Sequence, residues 1–155
     1  MLIFIKVTTM QEEKIGTVLN DLVKINEARI IGYEKAMAAI QDEDEKALFQ
    51  QMIEESKRNI IELHEQMLAH NSGDEEEGKV YRAWTAVRSP YVGDDRSMVF
   101  TFCEYGEDTV QFAYSSALHL QVIMPFKLRE VLAGQQAKLK EAHDTIKSYK
   151  DVLKD

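Results

Sequence analysis

Apolar residues recur three and four positions apart along four long stretches of this chain, which is the spacing of helices with one buried face. The first stretch carries Ile15, Leu19, Leu22, Asn26, Ile30, Tyr33, Met37 and Ile40, behind a capping-box pattern at Thr9-Met10-Gln11-Glu12. The second carries Phe49, Met52, Ser56, Ile60, Leu63 and Met67. Asp42-Glu43-Asp44-Glu45 opens it, and Asn71-Ser72-Gly73 closes it. The third, opened by Gly93-Asp94-Asp95, carries Val99, Cys103, Gly106, Val110, Ala113 and Ala117. The fourth starts around Pro125, a residue tolerated in a first turn, and carries Leu128, Leu132, Gln135, Leu139, Ala142, Ile146 and Tyr149. Outside the first seven residues no alternating pattern competes, so the fold is expected to be all-α.

The connections are short, long, short. Helices one and two meet at Gln41–Asp44, and helices three and four meet near Gln121–Pro125. Between two and three the chain runs from about Asn71 to Asp94. Short loops force antiparallel neighbours, whereas a long one lets the chain return to the far end, and that sequence of connections predicts a ferritin-like four-helix bundle. Val80, Trp84 and Val87 predict a short amphipathic helix within the crossover, while the acidic run Asp74–Glu77 reads as solvated loop. Residues 1–8 are expected to form an extended or frayed arm, and residues 9–155 the bundle domain.

With 155 residues the chain suits one domain with a proper core. Its 19 Lys and Arg against 27 Asp and Glu give a net charge of −8, and its basic residues are interleaved with acids, so a nucleic-acid partner is not expected. No apolar run reaches the length of a membrane span, and Met1–Val7 lacks the basic region and cleavage site of a signal peptide. Cys103 is the single cysteine, flanked by apolar residues; it reads as a buried inert thiol in a cytoplasmic protein.

The candidate chemistry lies where polar residues interrupt the apolar faces. These are Glu27 and Glu34 on helix one, Glu62 on helix two, Glu107 on helix three and His143 on helix four. Inward carboxylates and an imidazole suit iron or manganese, so these five are the candidate metal ligands. A Glu-x-x-His pair, however, is missing. Ile61 stands three residues before His64, and Lys140 three before His143. Glu62 and Glu141 precede those histidines by two residues, which on a helix points the side chains about 200° apart. The competing reading is a buried polar network, including a salt bridge between Glu107 and Arg29, with no cofactor. His70 and His119, near helix C-termini, suit the negative end of the helix dipole. Tyr33, Trp84 and Tyr114 read as core aromatics before they read as a ligand pocket.

Several strings fall in register with a known pattern: Leu19-Asn20-Asp21-Leu22-Val23, Gly32-Tyr33-Glu34-Lys35-Ala36, Tyr81-Arg82-Ala83-Trp84, Gly106-Glu107-Asp108 and Ala142-His143-Asp144-Thr145-Ile146. From about Gly16 to Asp151 the chain resembles an uncharacterised bacterial four-helix-bundle family of the ferritin-like superfamily. The resemblance implies the fold, places Glu34, Glu107 and His143 on recurring polar positions, and implies no activity. The expected role is a non-enzymatic, stress-associated bundle acting through self-association or through a partner protein, with Met10, Val18 and Ile31 as a homodimer seam. The alternative is a carboxylate-bridged di-metal binding protein or oxidase.

Overall fold

A computed structural model gives the fold and describes residues 2–70, 95–120 and 124–153. Four helices make up nearly all of it: α1 Leu2–Ala39, α2 Glu43–Ala69, α3 Arg96–Leu118 and α4 Phe126–Leu153. No strand occurs among the described residues. The Asp42 carboxylate accepts from the Glu45 amide at 2.9 Å, capping α2, and three acids in its first turn face the positive end of the dipole. Asp95 caps α3 in the same way through the Ser97 amide. His70 and His119 are the C-cap residues of α2 and α3, and the His119 ring lies 2.7 Å from the Ser115 carbonyl, which also accepts from the His119 amide at 3.0 Å.

One boundary differs from expectation. The arm expected at residues 1–8 is helical from Leu2 and continuous with α1, so Thr9-Met10-Gln11-Glu12 starts nothing. No glycine or proline breaks the run Leu2–Thr9, and its β-branched residues cost only tenths of a kcal/mol each, about what one more propagated hydrogen bond repays.

Each helix packs against two neighbours. α1 lies beside α2 and α3, α4 beside α3 and α2, leaving α1 opposite α4 and α2 opposite α3 across the bundle. Arg96 at the start of α3 pairs with Glu45 at the start of α2, so these two helices run parallel. The end of α2 and the start of α3 are therefore at opposite ends of the bundle. The segment 71–94 that joins them, and the short helix expected around Trp84, lie outside the described residues.

The interior divides into two apolar halves. One gathers Leu19, Leu22, Leu63, Leu128, Leu132 and Leu139. The other is built on a ladder of rings, Tyr33–Phe49–Phe100–Tyr149, with successive centroids 5.3–5.5 Å apart. Between the halves lies a belt of buried polar residues: Asn26, Arg29, Ser56, Asn59, Glu107 and Gln135. That belt is where any chemistry inside the bundle must be sought.

Candidate functional site: a buried polar belt

Arginine is almost never fully buried unless it is paired, yet Arg29 is fully buried at mid-bundle. Its Nε donates to Glu107 Oε1 at 2.6 Å and its Nη2 to Oε2 at 3.4 Å, a two-point grip from α3. Nη1 donates to the Met52 carbonyl at 3.1 Å and to Ser56 Oγ at 2.9 Å, both on α2. Glu55 Oε1 lies 3.0 Å from Nη2, and the Tyr33 ring centroid is 5.3 Å from the guanidinium carbon. Burial alone would disfavour the charge. Glu107, Tyr33 and Glu55 outweigh it, and the guanidinium pKa ends above its ordinary value. Burial also raises the Glu55 carboxyl, with Arg29 pulling it down and Glu107 pushing it up.

The belt continues as a chain of hydrogen bonds through all four helices. Ser56 Oγ donates to Asn26 Oδ1 at 2.9 Å, and Asn26 Nδ2 donates to the Tyr114 hydroxyl at 3.0 Å. Tyr114 donates to Gln135 Oε1 at 2.6 Å, and Gln135 Nε2 donates to the Asn59 carbonyl and to Glu62 Oε1. There it reaches a cleft of about 460 Å³ between α2 and α4, rimmed by Arg58, Lys127, Glu130 and Lys138. Asn59 and Gln135 line the cleft, but both are already bonded within the protein. It offers an incoming molecule rim charges of both signs, and the Glu55 Oε1 that lines it without a hydrogen bond is already held 3.0 Å from Arg29 Nη2.

The five candidate metal ligands are not brought together. Glu107 alone is buried in the belt, with both oxygens turned to Arg29. Glu34 and Glu62 are exposed, and Glu27 is half-exposed beside Lys24 at 3.8 Å. His143 sits toward the outside of the α3–α4 pair, its Nε2 2.6 Å from Asp108 Oδ1 and its Nδ1 3.2 Å from Asp144 Oδ1. Among the described residues no group of three or more Asp, Glu, His or Cys is placed to hold a metal ion. The donor set therefore does not fit a di-metal centre: a guanidinium stands where cation and carboxylate would meet. Nor does the belt hold an activated nucleophile. Burial, and then Glu107, push the Cys103 thiol well above its ordinary pKa, and the same two causes raise Tyr33.

The salt bridge between Glu107 and Arg29 is present as expected. Two of its companions were not foreseen. Glu55 stands one residue before Ser56, and Asn59 one turn after it, so both flank a polar residue on the apolar face. That local run of polar residues was the available signal.

His143 carries a testable pH dependence. Burial works against its imidazolium, but hydrogen bonds to Asp144 and Asp108 prevail and raise the pKa above 6.5. A group that binds its proton more tightly when folded stabilises fully below its unfolded pKa, and that stabilisation fades as pH rises through the folded pKa. His143→Gln should cost up to about 1 kcal/mol in urea unfolding below pH ~6 and almost nothing in alkaline buffer. An equal cost at both ends would contradict the ion pair.

No curated protein matches the chain. Residues 14–120 match the family described as a domain of unknown function (DUF2383). The match takes in Asn26, Arg29, Glu55, Ser56, Asn59, Glu107 and Tyr114, and stops before Gln135 and His143. Because it spans α1 from Lys14 through the end of α3, well over half of the sequence, the chain belongs to the DUF2383 family.

Proposed function

We propose that this protein is a ferritin-like four-helix bundle that has no catalytic metal centre and works by associating with a second copy of itself. The parallel course of α2 and α3 supports the ferritin-like assignment, since it sets the end of α2 and the start of α3 at opposite ends of the bundle. One observation carries the rest: Arg29, with Glu107 and Glu55, already occupies mid-bundle with a resident cation. A divalent ion there would have to displace or abut a guanidinium, and Coulomb repulsion at ~4 Å costs several kcal/mol even at an effective dielectric near 20. With mid-bundle already held by a guanidinium, the bundle keeps its surface for function. A cytoplasmic setting suits a chain whose one cysteine is a buried free thiol.

Elemental analysis of protein purified without chelator tests this reading. Less than about a tenth of an equivalent of iron, manganese or zinc per chain is expected. Near-stoichiometric metal that disappears in Glu107→Ala would overturn the reading in favour of a carboxylate-bridged site.

A further inference from the structure

We infer that a second copy of this chain docks on α4, helix against helix and antiparallel, with the dyad at Gly134; the inference rests on the self-association just proposed. The outer face of α4 carries Lys127, Glu130, Gly134, Lys138 and Glu141, all exposed and within about 80° of one another around the helix. It is separate from the Leu128, Leu132, Leu139 and Ile146 face that α4 buries in its own bundle. Glu130 and Lys138 stand four residues either side of Gly134, and Lys127 and Glu141 seven. Each acid is thus answered by a base at the mirrored position. Among the described residues none of these charges makes an ion pair or a side-chain hydrogen bond, although Lys140 and Lys150 on the same helix do.

Charge selects the occupant. A helix face that reads the same backwards with its signs exchanged is complementary to itself turned end for end. A dyad at Gly134 sets Glu130 beside the second copy's Lys138 and Lys127 beside its Glu141, and symmetry repeats both pairs. Like charges across the dyad are offset by about 4.5 Å along the axis, so the unlike pairs are the closer ones. The net charge of −8 opposes most other approaches of two copies. The match extends to α2, which runs antiparallel to α4 and is held level with it where Gln135 Nε2 bonds the Asn59 carbonyl at 3.2 Å. Counted from there, the second copy's Glu130 falls within about 3 Å of the level of Arg58, and its Lys138 within about 3 Å of that of Glu62. Glu55, the acid near Arg58, is already held 3.0 Å from Arg29.

Shape allows the approach. Glycine suits a helix interior worse than any residue but proline, and a Cβ built on Gly134 meets nothing within 4 Å, so the chain's own packing does not require the bare position. The missing side chain lets two helix backbones come close at the dyad. Val131 and Ala137, three residues either side, set a larger side chain against a small one. The second helix enters the cleft between α2 and α4 and covers Ile61, which lines that cleft 59 % exposed and stands level with Gly134. By symmetry each α4 fills the other's cleft.

Sedimentation of the full chain across a concentration series tests the seam. The wild type should reach dimer mass. Glu130→Lys and Lys138→Glu should each raise the dimer dissociation constant about tenfold or more, because like charges then meet on both sides of the dyad. The two changes made together should restore the dimer, since the signs are exchanged but still matched. Gly134→Leu should leave a monomer whose circular dichroism keeps the helical signal, the position being exposed. A wild type that stays monomeric throughout overturns both the self-association reading and this seam. A dimer that tolerates Gly134→Leu or either single reversal overturns the seam alone, and a double reversal that fails to restore it overturns the antiparallel pairing of Glu130 with Lys138.

Discussion

Arg29→Met should cost this fold about 3–5 kcal/mol, read as a lowered midpoint in urea unfolding with little change in slope. Methionine fills much of the same volume, so the loss is electrostatic before it is steric. Glu107 would remain buried with no donor in place of the 2.6 Å contact, and Ser56 and the Met52 carbonyl would each lose a partner. Removing water from one carboxylate costs several kcal/mol, and the intact pair recovers about that much through its own attraction. The pair is therefore close to neutral as a whole, while half of it is a liability. Arg29→Met combined with Glu107→Leu should consequently recover most of the loss, because no uncompensated charge stays inside. Glu55, on the edge of the belt, can turn its carboxylate to water. Should the double variant be less stable than the single one by the full cost of a second cavity, the belt would be held by packing and not by charge. Arg29→Lys is expected to fall between, since an ammonium cannot reproduce the two-point grip on Glu107.

How much of this was legible depends on where each residue stands relative to a helix face. The stripes of α2, α3 and α4 were readable because each helix buries one sector: Phe49, Leu63, Val99, Val110, Leu128 and Leu139 all lie inside, and Asp42 and Asp95 cap as their side chains suggest. α1 was harder. Its buried sector is far wider than one stripe, and Ile25 and Ala28 are as buried as Leu22. That width is why Val18, expected on an exposed dimer seam with Ile31 and Met10, is only 8 % exposed and belongs to the core. Ile31 does face solvent, and the Met10 side chain lies outside the described part. The same uncertainty in helix rotation separates the candidate ligands. Glu27 and Glu34, one heptad apart, share an outer flank of α1, whereas Arg29 points inward. Periodicity locates a face to within a residue or two, and that margin is the whole difference between a ligand and a solvated acid. Glu107 was legible because Gly106 and Val110 fix its turn of α3 toward the interior. Met98, Tyr105 and Phe112 of α3 are apolar at helical spacing too, yet they lie outside, and only exposure tells such residues from core.

Asn26→Leu should be the other large loss, at about 3 kcal/mol, although the two side chains differ little in size. Asparagine has two acceptor sites and two donor hydrogens, and Asn26 uses all four. Its Oδ1 accepts from Ser56 Oγ at 2.9 Å and from Asn59 Nδ2 at 3.2 Å, while its Nδ2 donates to the Leu22 carbonyl at 2.8 Å and to Tyr114 at 3.0 Å. Leucine would strand three of these partners inside; the Leu22 carbonyl keeps its place in the helix. Each stranded group costs about 1–3 kcal/mol, but the sum is not reached, because the Ser56 hydroxyl can rotate and Tyr114 keeps Gln135. Asn26→Asp separates the causes. It keeps the acceptors, loses the donor to Tyr114, and places a further carboxylate beside a centre where Glu55 and Glu107 already share one guanidinium. Such a group would be held above the usual carboxylate range, so its stabilisation is present in acid and fades as pH rises through the folded pKa. Asn26→Asp should thus approach wild-type stability near pH ~4.5 and lose ground toward neutral, whereas Asn26→Leu should be poor at both. Since Asn26 and Arg29 share Ser56, their variants should also fail to add, with a coupling of about 0.5–3 kcal/mol in a double-mutant cycle. Strict additivity would mean that the belt is a set of separate contacts, and that the path of hydrogen bonds from Arg29 to Gln135 carries no shared energy.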